Sequence, residues 1–287
     1  MKKEIKKQSK IIAITYADKK YARAARLNIR TAKKFGKVNE AFLYSPKDLD
    51  IAFKNRHKDI LMQKKGGGYW LWKPYFIKKT LEGMREEEVL IYTDAAITYT
   101  DKVCKLLYAM EESNTDRMFF LLGKEYIDAK YTKRDAFILM NSDEERFYNS
   151  PQVNAAIIVF KRNKRNIDFC TKWLEYAFDS RILTDIPNVC GRENYPDFLM
   201  HRHDQSILSL LAKKCDSVFF RDPTQWGEIS EYSDEIKKRS SYPCIFNHHR
   251  IAKANSVAYV LLMQNKTIKK IIYKKYLLKQ KRGKTVL

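Results

Sequence analysis

The strongest constraint on the fold is an alternation near the start of the chain. Ile11 to Thr15 is a short apolar run, followed by Tyr16-Ala17-Asp18 and a helical pattern (Ala22, Ala25, Leu27, Ile29, Ala32) that ends at Gly36. A second apolar patch, Ala41 to Tyr44, closes at Ser45-Pro46. A third, Val89 to Thr93, follows a helical segment from Pro74 to Gly83. Strands that alternate with helices build a mostly parallel sheet covered on both faces, and ligands bind such sheets beyond the carboxyl ends of the strands. Asp18 and Asp94 fall at two of these ends. Further strands are expected at Met118 to Leu122, Ala155 to Phe160 and Ser217 to Phe220, with helices at Ile167 to Phe178 and Asp204 to Lys213.

Composition agrees with one globular α/β domain carrying attachments. The 287 residues are 45% apolar and 13% aromatic, enough for one sizeable core, and 9 Gly and 7 Pro are few for a disordered chain. A formal charge of +22 invites a nucleic-acid reading, yet residues 236–287 hold 14 Lys/Arg and no acid, and residues 1–10 hold five Lys against one Glu. The body from 11 to 235 is left with 37 basic and 33 acidic residues, so the excess sits at the ends. The expected division is a basic extension over 1–10, a domain over 11–250 and a basic tail over 251–287.

In that tail nine Lys/Arg lie between Lys266 and Lys284. Ile268, Ile271, Ile272, Tyr276 and Leu278 would share an arc of roughly 160° on a helix, interrupted by Lys275 and Lys279. This reads either as a helical anchor on an anionic inner leaflet or as a solvated tail. Five cysteines without close pairing argue against a disulfide framework or a zinc knuckle and fit a reducing cytosol. Residues 11–19 are not an apolar signal core, and no run reaches the roughly 18 apolar residues of a membrane span. A cytoplasmic, peripheral membrane location is the expectation.

The least ordinary segment is Gly66-Gly67-Gly68-Tyr69-Trp70-Leu71-Trp72-Lys73-Pro74-Tyr75. Its glycines let the backbone bend and approach a ligand, and Pro74 suits the first turn of a helix. The segment lacks the Gly-Lys-Ser/Thr of a phosphate loop and the dinucleotide fingerprint. Its aromatic residues suit either core packing or stacking on a base or sugar.

With Val89-Leu90-Ile91-Tyr92-Thr93-Asp94-Ala95-Ala96 downstream, the sequence resembles bacterial capsule and lipopolysaccharide-type glycosyltransferases of the GT-A, nucleotide-diphospho-sugar fold. The resemblance continues through Tyr131 to Asp135, Gln152 to Ala156, His203-Asp204-Gln205-Ser206 and His248-His249-Arg250, and covers roughly residues 11 to 250. It implies a hexosyltransferase, with a nucleotide sugar (a UDP-sugar foremost) as donor, a glycan or lipid-linked glycan as acceptor, and retention of configuration. Thr15, Tyr16, Asp18, Trp72, Lys73, Asp94, Lys133 and Arg134 would then bind the donor. Asp204, Gln205 and Asp135 would be catalytic, and Gln152, Asn154 and His203 would meet the acceptor.

In the wider fold an Asp-x-Asp holds Mn²⁺ or Mg²⁺ on the diphosphate. Here Ala96 replaces the second acid, so a metal would draw on Asp94, His248 and His249. From position alone other readings stand: Asp204 as an ordinary N-cap, Lys133 to Asp135 as exposed charges, Gln152 and Asn154 as turn residues, and His-His-Arg as a solvated loop. A polyanion-binding protein and a transferase-like fold without catalysis are the competing functions, although no nucleic-acid motif is present.

Overall fold

The computed structural model describes residues 9–252 and Ala254; the expected anchor helix of the tail lies outside the described residues. Strands β1 (Ile11–Tyr16), β2 (Glu40–Tyr44), β3 (Val89–Thr93), β5 (Arg117–Leu121), β6 (Val153–Lys161) and β7 (Phe219–Arg221) form one sheet in the order β2-β1-β3-β6-β5-β7. β4 (Ile97–Tyr99) and β8 (Phe246–His248) pair separately, antiparallel, with Ile97 opposite His248. The longer helices are α1 (Ala22–Thr31), α2 (Trp72–Gly83), α3 (Cys104–Glu112), α4 (Lys164–Ala177) and α5 (Asp204–Lys214). α1 runs on through a π-helical turn, Ala32–Gly36, which stops at Lys37 in the left-handed conformation.

The strands are near-continuous apolar runs because both faces of the sheet are covered. In β1, Ile12, Ile14 and Tyr16 join one core with α2, α4 and α5, while Ile11 and Ala13 join a second core with α3 and the β4/β8 pair. β3 splits in the same way, Leu90 and Tyr92 against Val89 and Ile91. Burying each large side chain contributes about 1.5–3 kcal/mol, and the period of two fixes the register.

The mixed α/β expectation holds for six strands and the main helices. One detail differs: β6 runs antiparallel to both β3 and β5, while the other five strands share a direction. The amino end of β6 therefore reaches the edge where the others present their carboxyl ends. That reversal brings Ala156 beside Asp94 and Asn154 to the same edge.

Candidate functional site

At this edge lies a cleft of about 670 Å³, within the usual range for small-molecule sites. Tyr16, Asp18, Asp94, Asn154 and Asp222, all at or just beyond strand ends, line it together with Gly66, Gly67, Trp70 and Trp72 of the glycine-rich segment, and Arg202, Gln205 and His248.

A buried ammonium organises its floor. Pro74 sits in the first turn of α2, where its missing N–H costs nothing, and one residue earlier Lys73 turns inward, only 3% exposed. Its Nζ lies 2.8 Å from Asp204 Oδ2 and 3.4 Å from Asp94 Oδ1, and donates to the Ala155 carbonyl at 3.2 Å. Burial opposes the charge on Lys73, but the two carboxylates outweigh it and raise its pKa. Asp204 is affected chiefly by burial, which lifts its pKa to about 6 although Lys73 pulls the other way. Tyr92 donates to Asp94 Oδ1 at 2.6 Å. Burial, reinforced by Asp94, pushes the Tyr92 phenol far up and keeps it a donor. Asp94 is fixed from the main chain too, its N–H donating to the Ala156 carbonyl at 2.9 Å.

The aromatic wall depends on an unusual turn. Residues 66 to 70 all have positive φ: 59°, 60° and 95° for the three glycines, 51° for Tyr69 and 60° for Trp70. A side chain at Gly66 would meet the Trp70 ring at 2.3 Å, and one at Gly68 the Leu61 Cα at 2.7 Å. Tyr69 and Trp70 each carry a left-handed cost of about 1–2 kcal/mol, offset by packing on His203 with ring centroids 4.8 and 5.5 Å away. The turn delivers Trp72 to Tyr16, stacked at 3.7 Å and 18°, and Trp72 Nε1 donates back to the Gly66 carbonyl at 2.9 Å.

On the opposite wall a chain of hydrogen bonds sets the polarity of Gln205. Asp128, fully buried, accepts from Gln152 Nε2 at 2.9 Å, and from Ser209 Oγ and Lys213 Nζ at 2.6 and 2.5 Å. An ionised carboxylate only accepts, so Gln152 must present its oxygen to the other side. That oxygen receives Gln205 Nε2 at 2.7 Å and Arg202 Nη1 at 3.2 Å. Gln205 therefore keeps its amide oxygen at the cleft, where Ala155 N–H donates to it at 3.3 Å. Asn154 is held comparably, donating to buried Asp222 at 2.9 Å while accepting from Ala156 N–H.

Other expected site residues are placed elsewhere. Thr15 is fully buried within β1. Gln152 lies behind Gln205, and Asp204 is buried below it. Lys133, Arg134 and Asp135 do not line the cleft; they hold the segment 184–194. Lys133 Nζ donates to the Ile186 carbonyl at 2.6 Å, and Asp135 accepts from Val189 and Cys190 N–H at 2.7 and 3.1 Å. The Arg134 main-chain N–H donates to Asn194 at 2.7 Å, and its guanidinium bonds Asp143. His203 points to the Leu183 carbonyl at 2.8 Å, and burial lowers its pKa to about 4.

The donor set does not fit a divalent metal. Among the described residues no three His, Cys, Asp or Glu side chains come together in a way that could hold one. Asp94 Oδ1 is engaged by Tyr92 and Lys73, Ala96 offers no ligand, and His249 lies outside the cleft, with Nδ1 accepting from Ile251 N–H at 3.1 Å. Of the two histidines expected to hold a metal, only His248 joins Asp94 on the cleft wall. Arg202, Asp222 and Asp128 went unassigned in the sequence, because their roles come from pairings across as many as 85 residues.

No known family and no curated protein matches the sequence. Among solved structures the chain is similar to the galactosyltransferase LgtC in complex with donor and acceptor sugar analogues (14% identity over 83% of this chain and 87% of that one, TM-score 0.46). It is also similar to mouse xyloside xylosyltransferase 1 (12%, 86% and 99%, TM-score 0.45). A third is a glycosyltransferase involved in glycosylation of the major capsid of PBCV-1 (10%, 89% and 100%, TM-score 0.44).

Proposed function

We propose that the chain is a retaining glycosyltransferase of the GT-A type, moving a hexose from a nucleotide diphosphate sugar to a glycan or lipid-linked glycan in surface-polysaccharide synthesis. One observation carries this reading: a stacked aromatic wall, the Asp94–Lys73–Asp204 cluster and the oriented Gln205 amide converge on a single cleft at the ligand edge of the sheet. In this reading the Tyr16–Trp72 wall receives the base, a uracil foremost, and Asp18 accepts from the base or ribose. Lys20, Lys64 and Arg250 at the rim offset diphosphate charge. Asp94 and the Gln205 oxygen face the sugar, where positive charge develops as the glycosidic bond breaks and fixed oxygen dipoles stabilise it. Asp204 acts through Lys73, holding its ammonium near the leaving group. No step is routed through a metal.

Calorimetry with a panel of nucleotide sugars, in Mn²⁺ and in EDTA, tests the proposal, followed by transfer assays with the donor that binds. Micromolar binding of one donor, unaffected by EDTA, is expected. No heat with any donor would refute the assignment, and binding without transfer or hydrolysis would reduce it to a non-catalytic sugar-nucleotide protein.

A further inference from the structure

We propose that the outer face of α1 and the edge strand β2 form a second, non-catalytic surface that seats the protein on an anionic lipid bilayer. From Lys19 to Lys37 the chain holds eight Lys/Arg and no acid. All eight are exposed, while Ala24, Ala25, Leu27, Asn28, Thr31 and Ala32 between them are buried. Spacing of three and four residues thus puts the cations on one outward face. Alongside, β2 is the last strand of the sheet, and its Leu43, on the α1 side, is 37% exposed, while Phe42 points to the opposite face. Arg23, Arg26, Ile29, Arg30 and Leu43 line a groove of about 440 Å³.

The combination decides the partner class. Clustered cations meet headgroup phosphates while neighbouring aromatic and aliphatic side chains enter the interface. A polynucleotide would use the cations but leave the aliphatic Ile29 and Leu43 of the groove without an apolar partner. Lys20, the second cation of the stripe, and Tyr21 also line the cleft, so the stripe starts at the cleft rim. The surface is independent of the transferase reading and separate in sequence from the basic tail.

Sedimentation of the full chain with vesicles of phosphatidylcholine alone, or containing phosphatidylglycerol, tests it. Binding is expected only with the anionic lipid, and in R23Q/R26Q/K33Q/K34Q it should weaken by about fivefold for each cation engaged, the factor equivalent to about 1 kcal/mol. A second full-length variant, L43S, should weaken binding by an amount that added salt leaves unchanged. Vesicle binding that survives both variants and falls only in K269Q/K270Q/K274Q/K275Q would assign all of it to the tail and overturn the proposal. So would a quadruple α1 variant that loses a uridylate oligonucleotide while holding the vesicles.

Discussion

Replacing Lys73 by methionine tests the centre of the site. The side chain is 3% exposed and faces two carboxylates, at 2.8 Å from Asp204 and 3.4 Å from Asp94. Methionine keeps most of the volume and removes the charge, leaving Asp204 buried without its cation. Removing one partner of a buried pair costs about 3–5 kcal/mol. Asp204 escapes part of that cost by taking up a proton, so in K73M its pKa, already near 6 in the parent, climbs further above the value of about 3.9 in an unfolded chain. The folded variant then holds a proton that the unfolded chain has released. Stability is therefore retained below the unfolded pKa and lost as pH rises toward the folded one. Urea unfolding should show a penalty of about 3–5 kcal/mol at about pH 8 and a clearly smaller one at about pH 5. Adding D204N, which removes the stranded carboxylate, should recover part of the loss at the higher pH. A penalty below about 1 kcal/mol at both pH values, as for an exposed pair, would refute the idea that Lys73 is the electrostatic anchor.

Turnover should fall as pH drops through about 6, because protonated Asp204 releases Lys73, and that step should disappear from the pH profile of D204N. G68A should destabilise by more than about 1–2 kcal/mol, since φ is 95° and the new methyl meets Leu61 Cα at 2.7 Å. G83A, with nothing within 4 Å of the added carbon, should raise stability by about 0.5–1 kcal/mol in the same denaturation assay. D128N frees Gln152 to invert its amide and with it that of Gln205. Transfer rate should fall more than donor affinity; equal losses in both parameters would indicate general disruption.

The sequence made the sheet legible where the signal is local. β1, β2 and β3 announce themselves as apolar runs between turns, and Asp94 is placed at a strand end by the run before it. α3 carried a readable spacing too, in Leu106, Leu107 and Met110, although it was not assigned. The reversal of β6 was invisible, because a strand buried on both faces reads the same in either direction. β4 and β8 are three residues each and find one another across about 150 positions, beyond any periodicity. The same distance problem governs the site. Lys73 and Asp94 were both singled out, but only folding reveals that they meet, with Asp204, around one ammonium. Lys133 to Asp135 were tied to the donor only by resemblance, and Lys133 and Asp135 instead bond the backbone of residues 186 to 190.

The reversed strand has a consequence for how such a site changes under mutation. Lys73 is tethered to the Ala155 carbonyl, Gln205 to the Ala155 N–H, Asp94 to the Ala156 carbonyl and Asn154 to the Ala156 N–H. Four polar groups of the cleft are thus moored to main-chain atoms, which no codon change deletes. Libraries that vary residues 155 and 156 among small side chains should leave the scaffold of the site in place. Selectivity for one sugar over another would then be tuned at the rim, at positions such as Asp18, Trp226 and Arg250, while the anchoring geometry is inherited unaltered.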